Sequence, residues 1–235
     1  MILYANGDSH TAAAEATNPH AFAEDDGKYF YQGRSPHPDN LAVSWGKQLS
    51  DILHAGFHCD AESASSNDRI LRTSKKWIEE VYPNFNDEVL VIIQWSTWER
   101  EEWLIDGTYY QINASGVDSV PDSHQQKYKE FVDTVDWQKK TKQAHEDIWN
   151  FHLYLLEKNI PHIFFNGNTS FKTIKNRQDW GVHYMHPYDE DKTFDSVLKN
   201  SGHFTVSPKS WHYDKTAHST WAKYMLQYIL DNNLV

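Results

Sequence analysis

Ile2-Leu3-Tyr4-Ala5-Asn6-Gly7-Asp8-Ser9-His10-Thr11-Ala12-Ala13-Ala14 decides how this chain is read. An apolar run of strand length meets Asn-Gly-Asp-Ser and then passes into small helix-forming residues. Strand, tight glycine turn and helix start together lift a hydroxyl clear of the backbone at the end of an α/β sheet. Gly7 permits the close turn, and the N–H groups of a following helix would set a positive field at Ser9. The plainer alternative is an ordinary strand-to-helix turn with Asp8 or Ser9 as its N-cap. The far end of the chain bears on that choice.

Outward from this segment, strand-like and helix-like stretches alternate. Leu41, Trp45, Leu49, Ile52 and Leu53 stand at helical spacing and predict a helix over 39–55, closed by Gly56 as its C-cap. Residues 56–59 read as a short strand. Ser65 and Asp68 have capping-box spacing and open a helix with Ile70, Leu71, Ser74, Trp77, Ile78 and Val81 on one face, ended by Pro83. Val89-Leu90-Val91-Ile92-Ile93-Gln94-Trp95 is the clearest buried strand, and its continuous apolar character suits a parallel strand covered on both faces. Helices are predicted over 122–134, 138–158 and 192–200, with a second central strand over 161–167 and a small edge strand at 204–206. A last helix begins near His218. This alternation predicts an α/β fold, a three-layer, doubly wound and mostly parallel sheet. Residues 18–40, 96–121 and 168–191 read as loop insertions within one domain spanning 1–235.

Composition narrows the function. Lys and Arg number 22 against 33 Asp and Glu, a net charge of −11, which argues against a phosphate-backbone binder or an anionic membrane surface. The single Cys59 excludes an intrachain disulfide framework and a cysteine zinc site. No apolar stretch approaches the ~20 residues of a membrane span, and the N-terminus lacks a basic n-region, so the expectation is an intracellular chain. His183 and His186 lack the helical i, i+4 spacing and the nearby cysteine of a metal pair, so neither a metal nor a cofactor is expected. Arg69 and Arg72 lie one turn apart at a helix start; one of them could hold a substrate carboxylate or sulfate.

Before the last helix stands Trp211-His212-Tyr213-Asp214-Lys215-Thr216-Ala217-His218-Ser219-Thr220-Trp221-Ala222. An Asp four positions before a His, at a loop-to-helix junction, could orient an imidazole that removes a proton from a serine. A helix cap beside a surface histidine is the plainer reading. Taken with Ser9, both candidates lie where strand or loop meets helix, at the sheet end where α/β ligand sites form.

On these residues the chain resembles the SGNH/GDSL-type hydrolases, a flavodoxin-like α/β family of esterases, lipases and carbohydrate deacetylases. Gly7-Asp8-Ser9 matches the family's first block without departure. Ala61-Glu62-Ser63-Ala64-Ser65-Ser66-Asn67-Asp68 resembles the second, in which a backbone N–H lines the oxyanion hole; here Ala64, or Ser63 with a one-residue shift, takes that place. The third block departs: Ser96-Thr97-Trp98-Glu99 follows the central strand where the family has Gly-x-Asn-Asp, so an indole N–H from Trp98 or the hydroxyls of Thr97 or Ser96 must replace the amide donor. In the last block Asp214 lies four rather than three positions before His218. The resemblance implies an ester hydrolase with Ser9 as nucleophile, His218 as base and Asp214 as orienting acid. Ala64, Ser63, Trp98, Thr97 and Asp8 would surround the oxyanion and substrate. A small-molecule or carbohydrate ester is the implied substrate, and oligomeric state stays open. A non-catalytic relative is the alternative, with Trp95, Trp98, Trp103, Tyr109 and Tyr110 forming a sugar-stacking surface.

Overall fold

The computed structural model describes residues 1–20, 35–114 and 120–235. Most of the 18–40 insertion, and the end of the 96–121 insertion, lie outside the described residues.

Four strands form the central sheet: β1 (Ile2–Asn6), β2 (Gly56–Cys59), β3 (Val89–Trp95) and β6 (His162–Asn166). They run in the order β2-β1-β3-β6 and pair in parallel throughout, with Ile2 opposite both Gly56 and Val89, and Val91 opposite His162. The apolar runs of β1, β3 and β6 follow from burial on both faces, and alternate residues divide between two cores. Ile2, Tyr4, Val89, Val91, Ile93, Trp95 and Phe164 face one layer. It contains α3 (Asn67–Lys76), which runs on into a wide π turn over Trp77–Val81, and α5 (Trp137–Glu157). Leu3, Ala5, Leu90, Ile92, Ile163 and Phe165 face the other. There α2 (Trp45–Ile52), α6 (Phe194–Asn200) and α7 (Lys215–Asp231) contribute Trp45, Leu49, Phe194, Leu198, Trp221 and Met225. The fold is therefore α/β, with helices on both faces of a parallel sheet. Among the described residues, no helix is long and apolar enough to cross a membrane.

Several expected elements differ in detail. Residues 10–19 form turns instead of a helix, because Ala13 and Glu15 take left-handed conformations with φ of 53° and 61°. The 39–55 helix divides into α1 (Pro38–Leu41) and α2, the second restarted by Ser44, whose hydroxyl accepts from Lys47 N. Gly56 opens β2 and does not cap α2; His54, at φ 50°, makes the left-handed turn. Ser66, not Ser65, caps α3. The 96–121 stretch contains an antiparallel hairpin, β4 (Glu101–Ile105) and β5 (Thr108–Ile112), which with α4 (Gln125–Thr134) builds a separate cluster of Trp103, Ile105, Ile112, Val120 and Tyr128. The edge strand expected at 204–206 reduces to one antiparallel bridge between Thr205 and Tyr213.

Candidate active site

From β1 the chain crosses to β2 on one side, while β3 lies on the other. The carboxyl ends of β1 and β3 therefore flank a topological switch point, the place where open α/β sheets form their clefts. The loops after β1, β2 and β3 meet there. Glu62 N donates to Gly7 O at 3.3 Å. Ser96 and Asn67 exchange two hydrogen bonds, Ser96 N to Asn67 Oδ1 at 2.9 Å and Asn67 Nδ2 to Ser96 O at 3.2 Å. The strand-to-loop turn needs Gly7 because a Cβ there would lie 2.5 Å from Thr11 Oγ1 and 2.9 Å from Gln94 Cβ.

Asp8 is buried, and its carboxylate is saturated from within. It accepts from His10 N at 3.0 Å, Gln94 Nε2 at 2.8 Å, Ser96 Oγ at 2.7 Å and Arg100 Nη1 at 3.1 Å. Burial pushes its pKa up, but His10, Arg100 and these donors outweigh burial and hold it below the ordinary carboxylate value. Asp8 is thus a charged tether for the turn that carries Ser9. Expected as a group around the substrate, it turns its oxygens to the protein. Ser9 is itself 8 % exposed, and its hydroxyl makes no hydrogen bond among the described residues.

The closing segment packs against this turn. Lys215 N donates to Ala16 O at 3.3 Å, and the rings of His10 and His212 stand edge to face with centroids 5.8 Å apart. His212 Nδ1 lies 2.5 Å from Glu15 Oε2, which also accepts from Ser210 Oγ at 2.6 Å; Ser210 Oγ in turn accepts from His212 N at 3.0 Å. Burial raises the Glu15 pKa, while the Ser210 and His212 hydrogen bonds more than offset this and leave it lowered. An imidazole whose Nδ1 is held by a carboxylate presents Nε2 for proton transfer. Glu15 reaches that position from a left-handed backbone conformation, one that non-glycine residues hold only where their surroundings impose it.

His218 and Asp214 are placed differently from the expectation. His218 is buried at 1 % exposure, and its Nδ1 accepts from Trp45 N at 3.3 Å. The neutral ring so bonded carries its proton on Nε2, the wrong tautomer for a base acting through that nitrogen. Burial, with the neighbouring His10 and His212, pushes its pKa down to about 3, against a smaller opposing effect of Asp214. Asp214 is the N-cap of α7: its Oδ1 accepts from Thr216 N at 2.9 Å, Ala217 N at 3.0 Å and Thr216 Oγ1 at 2.6 Å. His212 was quoted from the sequence without being singled out as a candidate. Its carboxylate partner is 197 positions away, and the Asp-to-His spacing drew attention to His218 instead.

The remaining site candidates lie on the loops after β2 and β3. Ser63 is 5 % exposed and its hydroxyl is buried without a partner, while Ala64 takes a left-handed conformation with φ 63°. Thr97 Oγ1 donates to Glu99 Oε1 at 3.0 Å and is therefore already committed. Trp98 is buried flat against Phe171, with centroids 4.4 Å apart and planes 4° from parallel. Among the described residues, the side-chain polar atoms left buried without a partner, apart from tryptophan N–H groups, are Ser63 Oγ, Glu99 Oε2, Arg100 Nε and Thr169 Oγ1. All four belong to loops leaving the carboxyl ends of β2, β3 and β6, which marks this end of the sheet as the polar, incompletely satisfied one. Arg69 pairs with Glu62, and Arg72 is bidentate on Glu102 at 2.7 Å, so neither is a free anion ligand. Trp95, Trp98 and Trp103 are core residues, and the expected tryptophan stacking surface does not form. Among the described residues no group of three His, Cys, Asp or Glu side chains is arranged to hold a metal ion.

With this geometry in place, three comparisons are informative. Residues 36–156, about half of the chain, match the model of a family of unknown function, DUF6071. The matched stretch holds the Ser63–Ala64 and Thr97–Trp98 loops but neither Ser9 nor His212. No curated protein matches the chain. A solved structure from Desulfitobacterium hafniense DCB-2, named for the lipolytic G-D-S-L family, is 15 % identical over 97 % of this chain and 98 % of its own, with a TM-score of 0.38.

Proposed function

The chain belongs to DUF6071, a family of unknown function, and on the geometry of its site we propose that it is a serine-dependent ester hydrolase whose base is His212. Ser9 attacks the acyl carbonyl and passes its proton to His212 Nε2, while Glu15 holds Nδ1 and stabilises the imidazolium that forms. The leaving alkoxide takes that proton back, and water then cleaves the acyl-serine by the same route. Backbone N–H groups at Ser9 and Ala64, with the unpartnered Ser63 hydroxyl, are the donors we assign to the oxyanion. Arg100, through Asp8, fixes the turn on which Ser9 stands.

The observation that carries this reading is the Glu15–His212 pair, braced by Ser210 and seated against the turn that carries Ser9. Hydrolysis of a chromogenic acetyl or butyryl ester tests it. Ser9→Ala and His212→Ala should each lower kcat/KM by about 10³-fold or more, and Glu15→Gln by a comparable factor because the carboxylate sets the tautomer. Equal background from wild type and Ser9→Ala removes the enzyme reading. The missing third-block amide donor, with Trp98 buried in its place, favours one rival, a non-catalytic binding module on the same scaffold. Equal background is the result which that rival requires.

A further inference from the structure

The loop that delivers His212 ends in an apolar tip. Phe204 and Trp211 are the two most exposed large hydrophobic residues among those described, at 86 % and 79 %, and Val206 beside them is 39 % exposed. The tip is braced rather than trailing. Thr205 bridges to Tyr213, Val206 N donates to His212 O at 2.9 Å, and Ser210 N to Ser207 O at 3.1 Å. Below it Tyr213 is buried, its hydroxyl donating to Asp195 Oδ1 at 2.7 Å, while His203 Nε2 lies 2.9 Å from Thr220 Oγ1 on α7. A rigid loop thus holds two aromatic side chains almost wholly in water, at a cost that soluble proteins meet where such a patch has something to bind.

The form of the patch selects its occupant. A single acyl chain is bound in a concave groove that encloses it, but side chains this exposed have no neighbours to serve as groove walls. Protruding aromatics lose their water only against a surface, and aromatic rings with an adjoining lysine suit the apolar-to-polar boundary of a lipid layer. Charge does not oppose this: from Ser196 to Tyr213 the chain has no acidic residue and two lysines, Lys199, paired with Asp195 at 2.7 Å, and Lys209, within a molecule of net charge −11. Glu15, the acid beneath the loop, is engaged by Ser210 and His212. We propose that Phe204, Val206 and Trp211 dock this loop on a zwitterionic lipid–water interface. Docking brings His212 and the turn of Ser9 toward esters held in that layer. The docking stands on the loop's geometry, and only its substrate class, an ester of an interfacial lipid, rests on the hydrolase reading.

Flotation with phosphatidylcholine vesicles tests the docking on the full chain. Wild type should float, and the Phe204→Ser, Trp211→Ser double variant should partition about a hundredfold less, the equivalent of losing burial of two large apolar side chains. Both positions are exposed, so the variant should keep its circular-dichroism spectrum and melting temperature, and should hydrolyse a soluble short-chain ester at the wild-type rate. Ser9→Ala should float like wild type; if both float while wild type cleaves no ester, the docking survives and the hydrolase reading fails. Wild type that stays in the unbound fraction, or a double variant that floats equally well, overturns the docking. So does a dimer in light scattering that disappears with the double variant, since the tip would then cover a second copy.

Discussion

At the residue scale, the Asp8–Arg100 pair and the two histidines of the closing segment make opposite demands on their surroundings. Asp8 is charged and buried, so removing Arg100 leaves a carboxylate with only neutral donors. We expect Arg100→Met to destabilise the fold by about 3–5 kcal/mol, read as a shift in urea midpoint, and Asp8→Asn in the same chain to restore part of the loss. No change on Arg100→Met would show that the pair holds nothing. The sequence motif Gly7-Asp8-Ser9 made the turn that carries Ser9 legible, since the strand, glycine and hydroxyl are contiguous. His212 was not legible in the same way. The carboxylate at its Nδ1 comes from Glu15 at the other end of the chain, and no local spacing connects the two. Asp214, contiguous with His218, looked like the acid yet is a helix cap. The two carboxylates can be told apart: Asp214→Ala should lower stability by about 1 kcal/mol with ester hydrolysis within a few-fold of wild type. Glu15→Gln should do the reverse, keeping the melting temperature while activity collapses.

At the scale of elements, β1, β3 and β6 were visible because continuous apolar runs of strand length have few other uses in a chain with helices between them. The β4–β5 hairpin was passed over although its signal is present. Asp106-Gly107 separates Glu101–Ile105 from Thr108–Ile112, and both turn residues have positive φ, 49° and 82°, as a two-residue hairpin with matching twist requires. The charged run Glu101-Glu102 disguised the first strand. Those charges are in fact partnered, Glu102 by Arg72 and Gln111 and Glu101 by Lys140 and Trp103. The turn geometry gives a direct expectation. Gly107→Val places a β-branched residue at φ 82° and should destabilise the hairpin by about 1–3 kcal/mol, with the loss in hydrogen-exchange protection concentrated at residues 101–112. Protection lost equally across β1 and β3 would mean that the hairpin is not a separate packing unit. The turn after Ser9 shows the reverse error. Three alanines suggest a helix, but Glu15 must turn back toward His212, and the left-handed residues at 13 and 15 are where the chain does so.

For the molecule as a whole, buried histidines set the response to acid. His10, His152, His162 and His218 are all under 10 % exposed. Burial, the first cause in each case, brings their pKa values down to about 4, 4, 3 and 3. Two of them are distant from the candidate site: His152 Nδ1 and His162 Nε2 lie 2.8 Å apart at the start of β6, with the His183 ring stacked on His162 at 4.4 Å. A histidine with a folded pKa below its unfolded value near 6.5 binds more protons when unfolded, so the native state loses stability as pH falls through 6.5 and on toward the folded pKa. Above pH 6.5 the penalty vanishes. Within the window each fully shifted histidine contributes a slope of up to about 1.4 kcal/mol per pH unit. Four acting together would remove most of the ~5–15 kcal/mol typical of a domain by the pH at which carboxylates begin to protonate. Asp8, Glu15 and Glu101, all shifted downward, add their own loss below about pH 4.5, where the unfolded carboxylates take up protons. The urea midpoint should therefore be level from pH 8 to 7 and fall steeply between pH 6.5 and 4.5, about two units above the range in which carboxylates alone would act. A midpoint constant down to pH 5 would mean that these imidazoles take up protons in the folded chain without cost. Burial at the base of β6 and behind the candidate site would then have to be looser than the packing around His162 and His218 describes.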